Sequence, residues 1–259
     1  TGVIVNKGLT PLTNAMITWS FKDTVRTSTL WTGYLDQGET DTLTIGTVQL
    51  TYGNVNMVKI WVSYPNASTD ENTKNDTVMY TVFGCYGPLS GNYTIGGVNA
   101  NFATIEEAND PMLNCGIVGP VTFFLNNGTY NENLVFDMQI PGASILNPVT
   151  FTSTSGIAAN VVIGGNQKKE ATALTIQNVS HLKFINLTIG LNSEYTGAAV
   201  ELIGMCENIL FKGCTIQTNV QGNSATYCGV KYYSTNGATD YLKNVRFIGN
   251  HVDGGYYNF

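Results

Sequence analysis

Asn178-Val-Ser-His-Leu-Lys-Phe-Ile-Asn-Leu-Thr-Ile189 and Met205-Cys-Glu-Asn-Ile-Leu-Phe-Lys-Gly-Cys-Thr-Ile216 say nearly the same thing twice. Lys243-Asn-Val-Arg-Phe-Ile-Gly-Asn-His-Val252 says it a third time, more loosely. Stacked, Leu182, Ile209 and Val245 fall in one column, Phe184, Phe211 and Phe247 in the next, and Ile189, Ile216 and Val252 in a third. The three phenylalanines lie 27 and then 36 residues apart. A kept core with connections of varying length is the mark of a repeat architecture.

The pattern extends upstream. Pro120-Val-Thr-Phe123 recurs as Pro148-Val-Thr-Phe151, and an Asn-Gly turn at Asn127-Gly128 lies between them. Leucine holds no fixed frame, which excludes leucine-rich repeats, and the abundance of Thr, Val, Ile and Gly excludes helical ones. A right-handed parallel β-helix fits, with like residues piled about 4.8 Å apart in its interior. Its coils are expected from Gly119 onward.

An open solenoid end shows unpaired strand edges and bare core, so it needs a cover. Thr104 followed by Glu107 forms a capping box, and Ile105, Ala108 and Met112 share one helical face. A short capping helix is expected over about 104–113, with Pro111 limiting its length. Before it, residues 84–98 carry five glycines and a proline, a composition of turns, and the domain boundary is placed there. Residues 1–84 read as short alternating strands, around Ile17, Trp19 and Phe21, across 35–45, over 55–63 and over 77–83, with Trp19, Trp31 and Trp61 to fill a small β-sandwich. The chain is thus expected to be all-β, a sandwich over 1–84 and a β-helix over 85–259.

Charged residues make up 12% of the chain, against about 25% in an average globular protein, with Asn, Thr, Gly and Tyr in their place. A net charge of −6 with no basic run argues against a nucleic-acid partner. No apolar run approaches the ~18–20 residues of a membrane span. The hydroxyl-rich surface and the Thr1 start point to a processed piece of a larger secreted or surface product, with more coils expected past Phe259. The five cysteines form no C-x-x-C and the two histidines are not at zinc spacing. Cys214 takes the column of Leu187 and reads as a small buried hydrophobe. Cys85 and Cys115 flank the glycine-rich junction, where a disulfide is plausible in an oxidising compartment.

Asn101-Phe-Ala-Thr-Ile-Glu-Glu-Ala108, followed by Gly119-Pro-Val-Thr-Phe-Phe-Leu-Asn-Asn-Gly-Thr-Tyr-Asn-Glu-Asn-Leu-Val135, resembles the opening of the pectin-lyase-like right-handed β-helices, in a form shared with pectin methylesterases. From Leu89 onward the chain is similar to modular surface proteins of gut and gliding bacteria. Leu35-Asp-Gln-Gly-Glu-Thr40 and the loop from Tyr64 to Thr77 resemble the CARDB-like, immunoglobulin-like sandwiches of bacterial surface proteins. The first resemblance implies paired aspartates with an arginine and glutamines on one sheet, or a lyase base beside calcium-binding carboxylates.

Arg246 and Asp253 are the nearest imitation of that set, but the column of Asp253 holds Gln217 and Gly190 rather than a second aspartate. Retaining hydrolysis needs two carboxyls about 5 Å apart, for which Glu194 with Glu201 or Asp240 with Asp253 are available. Glycan binding needs only aromatic faces beside amides and carboxylates. Tyr195, Tyr227, Tyr232, Tyr233, Tyr256 and Tyr257 supply that mix among Asn236, Asp240 and Asn258. The contacts expected are Tyr232, Tyr233, Asp240, Arg246, Asp253 and Tyr256. Asp70 and Asp76, with Glu71, form an acidic loop that a Ca²⁺ ion could use, though EF-hand spacing is absent and no cofactor is otherwise expected. The reading is a secreted or bacterial cell-surface protein that binds or displays polysaccharide or glycoconjugate, or mediates adhesion. A carbohydrate-active enzyme with its site in the later coils or beyond residue 259 is the alternative, and a structural spacer the third.

Overall fold

The computed structural model describes residues 1–70, 72–164, 172–190, 197–218, 228–235 and 237–254. The chain divides into two compact units, Thr1–Tyr86 and Gly87–Phe259. Among the described residues, no helix is long and apolar enough to cross a membrane.

The first unit is built from strands β1 (Gly2–Val5), β2 (Leu12–Phe21), β3 (Thr24–Val25), β4 (Thr29–Leu35), β5 (Thr40–Leu43), β6 (Val55–Ser63) and β7 (Thr77–Phe83). One sheet runs β3-β2-β6-β7 with β4 also on β2, and β1 pairs with β5 in a second, two-stranded sheet. Ile4, Leu12, Ala15, Ile17, Trp31 and Leu35 form the core between them. Trp31 is buried with its indole N–H on Asp41 (2.8 Å), which satisfies the one polar group that burial would strand. Trp61 does not fill the middle as expected. Its neighbours Ile60 and Val62 pack on the core, so the alternation of β6 sends Trp61 to the other face, half-buried under Lys59.

Among the described residues, the second unit is a parallel β-helix of three long sheets, with a short two-stranded one pairing Cys206–Glu207 with Leu242–Lys243. Sheet I stacks β8 (Leu89–Ile95), Ile117–Leu125, Val149–Ser153, Leu182–Ile185, Leu210–Lys212 and Arg246–Ile248. Sheet II stacks Gly128–Tyr130, Val161–Ile163, Thr188–Gly190, Thr215–Gln217 and His251–Asp253. Sheet III stacks Leu134–Phe136, Leu174–Gln177, Ala198–Ile203 and Cys228–Tyr233. The repeated columns are ladder partners: Phe123, Phe151, Phe184, Phe211 and Phe247 stand in one register, their rings stacked at centroid distances of 5.0, 5.6, 5.1 and 4.8 Å. The first four are wholly buried.

The solenoid starts earlier than Gly119. Glycines at 87, 91, 96 and 97 take positive φ, as turn chemistry predicts, yet Leu89–Ile95 between them forms β8 and pairs with Ile117–Leu125. Tyr93 places its ring beside Phe123 (5.8 Å), so burial of one aromatic outweighs the local turn propensity. Helix α1 runs Ile105–Cys115, within two residues of the expected bounds, with Pro111 inside it. Ile105, Ala108 and Met112 are fully buried, and that face offsets the single hydrogen bond that the proline removes. The helix start is fully satisfied: Glu107 N–H donates to Thr104 Oγ1 (3.0 Å), Ala103 N–H to Glu107 Oε2 (2.6 Å), and Ile105 and Glu106 N–H to Glu132 (3.2 and 2.8 Å).

Coil corners need left-handed backbone, and the sequence supplies Asn, Gly and in one case His in stacked positions. Asn186, Gly213 and Gly249 have φ of 53°, 62° and 61°, and His181, Asn208 and Asn244 have 68°, 56° and 54°. Asn tolerates this region because its short amide hydrogen-bonds locally. At the first corner Asn250 closes the coil above Cys214, accepting from its N–H (2.8 Å) and donating to the Phe211 carbonyl (3.0 Å).

Candidate functional site

Alternation along sheet III sends Leu174, Val200 and Val230 inward and turns Thr175, Glu201 and Lys231 outward in one ladder column. Gln177, Ile203 and Tyr233 share the next ladder column, in which Ile203 is buried and Tyr233 is exposed. Lys231 Nζ lies 3.8 Å from Glu201 Oε1 and 5.1 Å from the centre of the Tyr233 ring. An ion pair this open to solvent contributes at most ~1 kcal/mol to folding. What the column does is fix a carboxylate and an ammonium beside Tyr233, which is 39% exposed. An aromatic face beside charged groups has the chemistry to stack on a sugar's C–H surface and hydrogen-bond its hydroxyls. Among the described residues in these two columns Glu201 is the one carboxylate, whereas glycosidic hydrolysis by acid–base pairs uses two.

The residues expected from the sequence are dispersed. Tyr233 joins this face, while Tyr232, paired with the buried Leu202, occupies an inward column yet is 39% exposed. Asp240 Oδ2 accepts from Ser234 Oγ (3.1 Å), Thr235 N–H (2.6 Å) and Thr235 Oγ1 (3.2 Å), the work of a turn-organising carboxylate. Arg246 stands on the outer face of sheet I, in ladder with Leu210 and Lys183. Asp253 stands on sheet II in ladder with Gln217 and Gly190. Arg246 and Asp253 are therefore on different sheets. Tyr256, like Glu71, Glu194, Tyr195, Tyr227, Asn236, Tyr257 and Asn258, lies outside the described residues. Gln177 and Lys231 were not expected, because the sheet III strands follow insertions of unequal length. The usable signal was the Val-Lys-Tyr-Tyr alternation at 230–233, which matches Val-Glu-Leu-Ile at 200–203.

In the first unit Asp70 and Asp76 do meet. Burial, then the charge of Asp70 and a hydrogen bond to it, raise the Asp76 carboxyl above its ordinary value. Among the described residues no group of three or more His, Cys, Asp or Glu could hold a metal ion.

Cys206 and Cys214 are buried thiols pushed up in pKa by burial, the opposite of an activated nucleophile. Cys85 and Cys115 do not titrate as thiols, being disulfide-bonded. Alkylation is expected to label Cys85 and Cys115 only after reduction. Cys206 and Cys214 should be labelled only after denaturation.

No protein-family model and no curated protein sequence matches the chain. Among solved structures the chain is similar to the pectin methylesterase from Aspergillus niger in deglycosylated form. The identity is 14%, over 67% of this chain and 91% of that one, with a TM-score of 0.30. At that level the likeness says nothing about a site, and the β-helix rests on its own ladders.

Proposed function

We propose that the β-helix unit is a saccharide-binding module whose contact face is the outside of sheet III, centred on Glu201, Lys231 and Tyr233. The observation that carries this reading is the partly exposed Tyr233 side chain set beside a solvent-facing ion pair. Binding needs no second carboxylate, and the face as described has one. The wider role is glycan display or adhesion by a secreted or surface protein, in which the first unit is a CARDB-like sandwich. The low charge and the hydroxyl-rich composition support that setting.

A glycan array with the intact chain tests it. Binding is expected without release of reducing ends or unsaturated uronides. Tyr233→Ala should weaken the best ligand about tenfold, which is ~1.4 kcal/mol, by removing the stacking platform. Lys231→Ala should weaken it by a smaller factor. Cleavage of any bound glycan would move the assignment to a carbohydrate-active enzyme, and silence in both assays would leave a spacer.

A further inference from the structure

Among the described residues, strand β7 ends its sheet, and its own sequence carries none of the usual edge guards. Its seven residues, Thr77-Val-Met-Tyr-Thr-Val-Phe83, contain no charge and no proline, and it pairs with β6 through seven consecutive positions without a bulge. Val78, Met79, Tyr80 and Val82 are 42%, 63%, 58% and 41% exposed. Val78 and Tyr80 stand opposite Ile60 and Val58, on the core face of the sheet. Among the described residues the second sheet holds β1 and β5, and Val78, Tyr80 and Val82 stay exposed.

The direction of the free hydrogen-bonding groups follows from the register. Val62 N–H donates to Asp76 O (3.0 Å) and Gly84 N–H to Asn54 O (3.0 Å). The hydrogen-bonded positions of an antiparallel pair alternate. Val78, Tyr80 and Val82 therefore spend their backbone groups on β6. Thr77, Met79, Thr81 and Phe83 point theirs outward.

We propose that β7 is a docking edge for a second copy of this chain, added antiparallel about a two-fold axis through Tyr80. That axis sets Thr77 opposite Phe83 and Met79 opposite Thr81, so all four outward residues of each copy find partners at once. It places Val78 against Val82 and Tyr80 against Tyr80 in one apolar row. The strand is self-complementary, as an isologous interface requires, and its neutrality sets no charge against its own copy. Specific stable interfaces use about 20–30 residues a side, and one seven-residue strand with its flanking face supplies a fraction of that. The dimer is accordingly weak and concentration-dependent.

Sedimentation of the intact chain over a wide concentration range is expected to show reversible monomer–dimer exchange. Tyr80→Lys, which places like charges directly opposite, should weaken association about tenfold or more while leaving the circular dichroism spectrum unchanged. Tyr80→Cys should form a reducible covalent dimer under mild oxidation, because directly opposite Cβ atoms lie about 4.5–5.5 Å apart. A monomer at every concentration would overturn the proposal. So would a dimer indifferent to Tyr80→Lys, or a Tyr80→Cys chain that stays uncrosslinked while it dimerises.

Discussion

Replacing Phe184 by alanine is expected to lower the unfolding free energy of the β-helix unit by about 3–5 kcal/mol, read as a lower urea midpoint at constant slope. Phe184 is wholly buried, stacks on Phe151 at 5.6 Å and Phe211 at 5.1 Å, and meets Phe136 edge-on at 6.2 Å. Its ring is held from above and below by neighbouring coils whose strands are pinned in register. The space left by truncation cannot collapse without breaking those ladders, so the cost falls at the upper end of the usual range. In a solenoid each coil is stabilised chiefly by its neighbours. The damage should therefore reach the coils beyond residue 184, and hydrogen exchange at 205–217 should quicken while that at 121–125 changes little. Phe184→Leu, which keeps most of the volume, should cost less than about 1.5 kcal/mol. If alanine were tolerated as well as leucine, the ring stack would not be the core of the unit.

The largest single effect is expected from Gly142→Ala. Gly142 has φ +85°, a region that costs a residue with a Cβ roughly 1–2 kcal/mol. A Cβ at Gly142 would in addition overlap the backbone carbonyl of Ile117, where two turns of chain cross and Ile117 N–H donates to Pro141 O (2.8 Å). A backbone atom cannot rotate away as a flexible side chain can. The loss should exceed ~4 kcal/mol, in the range that point substitutions reach only through such mechanisms. Gly156→Ala is the matched control, since Gly156 has φ +70° but a Cβ there would meet nothing within 4 Å. It should cost only the conformational part, about 1 kcal/mol. Thermal denaturation of the two variants side by side separates strain from collision. Equal losses would show that the crossing at Ile117 and Pro141 relaxes freely.

The asymmetry between what could and could not be read in advance has a physical origin. Sheets I and II are joined by two residues at four of their five corners, as at Asn186-Leu187 and Gly213-Cys214. With so short a link the register of one strand fixes the next, and the columns of Phe and Ile are visible by spacing alone. The same closeness forces left-handed backbone, which Asn and Gly announce. The capping helix was equally open to reading, because Thr104, Glu107 and its apolar face act within three turns.

What the sequence by itself determined is therefore the repeat, its inward columns and its lid, all set by contacts between near neighbours or by period. Only the tertiary structure decided that Leu89–Ile95 belongs to sheet I, that Glu201, Lys231 and Tyr233 share an outward face, and that β7 ends its sheet unguarded. Each of these turns on which distant strand completes a hydrogen-bond ladder. Ladder pairing across loops of unequal length leaves no periodic trace in the chain.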